Sequence, residues 1–214
     1  MAIAHGLAIA TMVTALGHVS GAHFNPAVTV GVWIAQKIRT SDAGAYILAQ
    51  LAGAAAGAGL LRVAIPEQVW SQPGISLGTP SIPSGISTGQ AVLIEAILTF
   101  FLVWVVFATA VDPEGAFSKI AGLAIGFVIL MDILMGFPFT GAAMNPARHF
   151  GPAAVAGKWA SWWVYWIGPV AGGIVAAALY DGVILRKKAI AAEETGMEAP
   201  HGVGAHGEEP LGFE

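Results

Sequence analysis

The sequence predicts an all-α membrane protein. It reads as an inverted repeat with five visible transmembrane helices, six expected, and two re-entrant half-helices. Three observations carry this. First, 56% of the 214 residues are hydrophobic and 10% are charged, against about 25% charged in soluble domains; mean hydropathy is +0.73. Second, five stretches reach the roughly 20 apolar residues that a crossing needs. Third, a short apolar motif occurs twice, at Asn25 and Asn145, which lie 120 residues apart. This composition excludes a disordered chain, a nucleic-acid binder and an ordinary water-soluble domain. The formal net charge of −4 adds little, because six of the thirteen acidic residues fall in the last 22 positions. Cysteine is absent, which excludes a disulfide scaffold, a thiolate metal site and a cysteine nucleophile.

Taken in order, the first span is Ala2 to Val19, apolar apart from His5, His18 and two threonines. It lacks the basic start and cleavage-type ending of a signal peptide. The second, Ala43 to Ile65, is rich in Ala and Gly. The third, Ala91 to Val111, is broken only by Glu95 and two threonines. The fourth, Ile120 to Phe139, contains Asp132. The fifth, Trp159 to Leu185, opens on Trp159, Trp162, Trp163, Tyr165 and Trp166, an aromatic cluster suited to a membrane interface. Two shorter apolar stretches, 25–35 and 145–155, cannot cross. Each reads as a re-entrant half-helix, which must be buried in protein or line a cavity.

Lys37, Arg39, Lys119, Arg186, Lys187 and Lys188 gather on one side of these spans, and Arg62 and Lys158 on the other. The positive-inside bias places the C-terminus in the cytoplasm, and a plasma or inner membrane is expected. Residues 66–89 are rich in Pro, Gly and Ser and read as an ordered loop on the outer side. Residues 188–214 read as a disordered cytoplasmic tail. His201 and His206 in that tail have no metal-site spacing, and no metal site is expected elsewhere.

The repeat is extensive. Ser20-Gly21-Ala22-His23-Phe24-Asn25-Pro26-Ala27 aligns with Thr140-Gly141-Ala142-Ala143-Met144-Asn145-Pro146-Ala147, and Gly31 then falls on Gly151. The flanking spans keep the same offset. A repeat unit with an odd number of spans is inverted in the membrane. The first unit is 1–65 and the second is 90–187. The counterpart of 91–111, and of Glu95, would precede Met1. A first helix is therefore expected outside this chain.

Asn is a strong N-cap and Pro favours the first helical position, so each Asn-Pro-Ala starts a short helix. In inverted halves the two starts meet near the midplane, each presenting the positive end of its dipole. The Asn amides can then donate hydrogen bonds to a neutral molecule, and the site is a barrier to cations. The pairs Gly53/Gly57, Gly122/Gly126 and Gly168/Gly172 have the spacing that lets helices cross closely. No arrangement of nucleophile and base, and no phosphate-cradling loop, points to an enzyme or a bound cofactor.

These motifs, Ser20 to Thr29 and Thr140 to Arg148, resemble the major intrinsic protein family, the aquaporins and glycerol facilitators. The resemblance covers about residues 2–187. It implies a pore in each subunit, a homotetramer in a lipid bilayer, and water as the permeant. It implies pore motifs at Asn25, Pro26, Ala27 and at Asn145, Pro146, Ala147. It implies a selectivity constriction of His5, Ile133, Ala142 and Arg148, like that of the vacuolar plant branch, which admits water and small neutral solutes such as ammonia, urea or glycerol. Glu95 is implied to support the second loop, and His18 to line the pore. His23 reads as a loop-bracing hydrogen-bond donor. Glycerol facilitators carry Asp after the pore Arg, a basic residue four positions later, and Pro in the last span. This chain has His149, Ala153 and Tyr165-Trp166 there, which favours the water-type branch, although His149 matches neither pattern. Two other readings are a coupled transporter using Glu95 and Asp132, and a non-conducting fragment.

Overall fold

The computed structural model describes residues 1–72, 74–115 and 120–195. Five helices among them are long and apolar enough to cross a membrane. They are α1 (Ala2–Ser20), α3 (Thr40–Ala64), α5 (Thr88–Val106, its span running on to Val111), α6 (Ala121–Thr140) and α8 (Val164–Leu179, its span running on to Ala192). Two shorter helices, α2 (Pro26–Ile34) and α7 (Pro146–Ala156), begin at the two Asn-Pro-Ala motifs. A four-residue helix α4 (Glu67–Trp70) and a 3₁₀ turn (Ser76–Gly78) stand between α3 and α5. Ser87 starts α5 with a capping box: its hydroxyl accepts from the Gln90 N–H, and the Gln90 side chain accepts from the Ser87 N–H at 2.9 Å.

Both α5 and α8 end in a π turn, Phe107–Val111 and Tyr180–Leu185. The second runs directly into α9 (Arg186–Thr195). Residues 188–195, read from the sequence as the start of the tail, are helical here. The stretch contains no Gly or Pro to stop a helix, and Ala189, Ala191 and Ala192 favour one. Residues 196–214, with His201 and His206, lie outside the described residues.

Packing follows the repeat. The pair α1 and α6, related by the offset of 120, cross each other. Half-helix α2 packs on α8, and α7 packs on α3, which is the same contact seen from the other half. Helix α5 packs on α8 and α6 and has no repeat partner among the described helices.

Glycines decide two of these crossings. A methyl group at Gly6 would lie 2.6 Å from the Gly126 carbonyl oxygen, and one at Gly122 would lie 2.7 Å from that of Ala10. One at Gly168 would lie 2.8 Å from both Val92 O and Glu95 Cβ. The third spaced pair differs, because Gly53 and Gly57 face open space on α3. The close approach of α3 to α7 instead uses Gly151, set against the Ala54 backbone.

Candidate functional site

The N-termini of α2 and α7 meet at the centre of the fold. Asn25 Oδ1 accepts from the Ala27 N–H at 2.9 Å, which caps α2. Asn145 Oδ1 accepts from the N–H groups of Ala147 and Arg148 at 2.9 and 3.2 Å, which caps α7. Each amide nitrogen then reaches across to the other half. Asn25 Nδ2 donates to the Met144 carbonyl at 2.8 Å, and Asn145 Nδ2 donates to the Phe24 carbonyl at 2.9 Å. An amide NH₂ carries two hydrogens, so each Asn keeps one N–H beyond this cross-link.

The loops leading into the two helices have matching backbone. In the first, Gly21, Ala22 and Phe24 have φ of 68°, 47° and 50°; in the second, Gly141, Ala142 and Met144 have φ of 79°, 46° and 53°. Left-handed backbone at a residue other than Gly costs about 1–3 kcal/mol and persists only where surroundings enforce it. In the second loop the enforcing group is Glu95, fully buried on α5. Its carboxylate accepts from the Thr140 hydroxyl at 2.7 Å, the Ala143 N–H at 2.9 Å and the Met144 N–H at 2.7 Å. The first loop is held from α3. Gln50 Nε2 donates to Thr29 Oγ1 at 2.9 Å, Tyr46 donates to the Ser20 carbonyl at 2.7 Å, and the Thr29 hydroxyl contacts His23 Nδ1 at 3.2 Å. His23 also stacks on Tyr46 with ring centroids 4.9 Å apart.

A cavity of about 60 Å³ runs past both Asn side chains. Ile9, Val13, Val28, Leu102, Val106, Ile125 and Ile129 give it apolar walls, and His5, His23, Asn25 and Asn145 supply polar side chains. Backbone of the two left-handed loops lines it as well, at Gly21 to Phe24 and at Ala143 and Met144. A second cavity, wider and open, is lined by Met1, Gly78, Pro80, Phe137, Gly141 and Arg148. Arg148 Nη1 donates to the Gly78 carbonyl at 3.0 Å, and Nε is buried with no partner among the described residues.

The residues singled out in the sequence are thus divided. His5, Asn25 and Asn145 share the first cavity, while Arg148 fronts the second. Ile133 and Ala142 are buried and line neither cavity. His18 is exposed in the last turn of α1 and lines neither. The cavity-facing side of α1 carries His5, Ile9 and Val13, and five residues beyond Val13 is about 140° round the helix. His23, read from the sequence as a loop brace, lines the first cavity, and His18 does not. Pro26, Ala27, Pro146 and Ala147 are buried at the starts of α2 and α7. Asp132 is buried with Oδ2 unpartnered among the described residues.

The sequence reading missed the left-handed loops, the network from α3, and two aromatic contacts. Tyr165 donates to the Thr140 carbonyl at 2.9 Å, and His149 stacks on Tyr165. Ala, Phe and Met do not advertise left-handed backbone, so only the duplicated spacing could have flagged it.

Similarity to known proteins agrees with this geometry. The profile described as Major intrinsic protein matches residues 1–180. Aquaporin-4 of Mus musculus is 42% identical over 183 residues, 86% of this chain and 55% of that protein. Aquaporin TIP4-4 of Zea mays is 44% identical over 188 residues, 86% of this chain and 71% of that protein. The chain therefore spans little more than half the length of the mouse protein. Among solved structures, the X-ray structure of the aquaglyceroporin from Plasmodium falciparum superimposes with a TM-score of 0.75 at 28% identity, covering 86% of this chain and 81% of that one.

Proposed function

Because this chain belongs to the major intrinsic protein family, we propose that it is a passive, multi-pass membrane channel for water that excludes protons and ions. The observation that carries this reading is the meeting of Asn25 and Asn145 at two opposed helix N-termini beside a narrow, apolar-walled cavity. A water needs about 10–15 Å³ of such space, so the cavity takes a short file of waters. The apolar walls offer few competing partners. A passing water accepts the remaining amide N–H of an Asn and turns its own hydrogens outward. The positive ends of α2 and α7 favour the same orientation on both sides. Hydrogen bonds then point away from the centre in both directions, and a proton wire is broken there.

Arg148, with His5, Ile133 and Ala142, is assigned to the selectivity constriction. A unit charge at 4 Å is worth about 4 kcal/mol at an effective dielectric of 20, enough to turn cations back. With only one aromatic ring, His5, among the four, the constriction suits water and small neutral solutes such as ammonia or urea. Glycerol conduction is the second reading, favoured by likeness to the Plasmodium structure and opposed by Tyr165, Trp166 and Ala153, where facilitators differ. Proton coupling is disfavoured because Glu95 spends both carboxylate oxygens on the loop. The working form is taken as a homotetramer with its C-terminus in the cytoplasm of a plasma or inner membrane.

The test is stopped-flow shrinkage of proteoliposomes. Osmotic water flow with a low activation energy, lost in Asn25→Asp or Asn145→Asp, supports the channel. Flow no faster than protein-free liposomes, from correctly folded protein, overturns it.

A further inference from the structure

His149 follows Arg148 in the first turn of α7 and is fully buried. Neither ring nitrogen has a hydrogen-bond partner among the described residues. The imidazole is held by its faces instead. It stacks on Tyr165 with ring centroids 4.4 Å apart and planes 14° from parallel, and Trp159 meets it edge-on at 6.5 Å. Tyr165 is itself fully buried, and its hydroxyl donates to the Thr140 carbonyl at 2.9 Å. Thr140 in turn accepts the Ala142 N–H on its hydroxyl at 3.1 Å. A path of contacts therefore runs from the backbone beside Arg148, through two stacked rings, to the turn of Thr140, Gly141 and Ala142.

We propose that His149 is a positioning residue, an aromatic spacer that sets how far Arg148 stands from Gly141, its neighbour in the lining of the second cavity, and so limits the width of solute admitted. It acts through its ring and not through its nitrogens. The proposal rests on the channel reading above and deepens it. A small side chain at 149 lets Tyr165 shift towards α7 and carries the Thr140 carbonyl with it. Phenylalanine keeps a flat ring of similar thickness, and burial without polar partners is its natural state. Asp at this place would put an unpaired carboxylate against the same ring.

The experiment measures water and urea permeability of the full chain in proteoliposomes, for the wild type and His149→Ala, His149→Phe and Tyr165→Phe. The urea-to-water ratio is expected to rise about three- to tenfold in His149→Ala, the rate equivalent of one lost aromatic pair. His149→Phe is expected to keep the wild-type ratio. Tyr165→Phe keeps the rings but releases Thr140, and its ratio should also rise. Should His149→Ala fail to fold, the two Phe variants decide alone. An unchanged ratio in His149→Ala or Tyr165→Phe, with water still conducted, overturns this inference and leaves the channel standing. A raised ratio in His149→Phe makes the nitrogens the working part and also overturns it. A wild type that conducts no water overturns the channel reading and this inference with it.

Discussion

Lys188 on α9 reaches Asp112, the residue that closes the π turn of α5, with Nζ 2.8 and 3.1 Å from its two carboxylate oxygens. Asp112 is buried and also accepts from the Tyr180 hydroxyl at 2.9 Å and the Glu114 N–H at 3.0 Å. Burial alone would push its carboxyl up. The hydrogen bonds from Lys188, Tyr180 and Glu114, with the Lys188 charge, outweigh that and hold it below the usual carboxylate range. A depressed folded-state value stabilises the fold above the ordinary carboxylate value near 3.9 and stops doing so as pH falls below it. Lys188→Met should therefore lower stability by about 1–3 kcal/mol at neutral pH, by stranding a buried carboxylate. The gap from wild type should narrow below about pH 4. Thermal unfolding in detergent at several pH values checks this; a gap that is constant down to pH 3 would sink it.

Glu95→Gln keeps size and shape but swaps one acceptor oxygen for a donor NH₂. The Met144 N–H then faces another donor if the nitrogen replaces Oε2, and both Thr140 and Ala143 do if it replaces Oε1. A buried donor left unsatisfied costs about 1–3 kcal/mol. Two non-Gly left-handed residues depend on this brace, so water permeability should fall along with the unfolding temperature. Full permeability with reduced stability would mean that the loop keeps its shape without Glu95.

Gly168→Ala places a methyl 2.8 Å from both Val92 O and Glu95 Cβ. Backbone cannot yield as a side-chain tip can, so α8 must move off α5. Overpacking of this kind costs about 1–3 kcal/mol. Gly57→Ala on α3 meets nothing within 4 Å and serves as the control, with no loss expected. Equal unfolding temperatures for the two variants would contradict the crossing geometry.

Cysteine is absent from all 214 positions. Water flow should therefore resist thiol-directed mercurials that block cysteine-bearing channels. Introducing Val28→Cys beside the cavity should create sensitivity, reversible by reductant. Block of the unmodified chain that a thiol reagent reverses would count against the permeation path drawn through this cavity.

Much of the architecture was legible because lipid allows so few solutions. Apolar length marks the spans, and Asn-Pro marks a helix start wherever it occurs. The duplicated motif then supplied what no single stretch could, since Asn25 and Asn145 are interpretable only together. What stayed hidden depends on contacts between distant residues. Nothing in His149 foretells its Tyr165 partner, and nothing in Ala142 or Met144 foretells positive φ. Lys188 read as tail because its reason for order, Asp112, lies 76 residues away. His18 and His23 lie five residues apart, but helix phase turns His18 away from the cavity side of α1 while the loop after α1 brings His23 to it.

The two cross-links at the centre join residues 119 and 121 positions apart. Each half of the chain therefore lacks the partner that would satisfy its own amide. Closing such long loops is entropically unfavourable until the rest of the bundle is assembled. Neither half can complete the site on its own. The central site thus forms only when the two halves dock, and a chain with one half misplaced has no partial version of it.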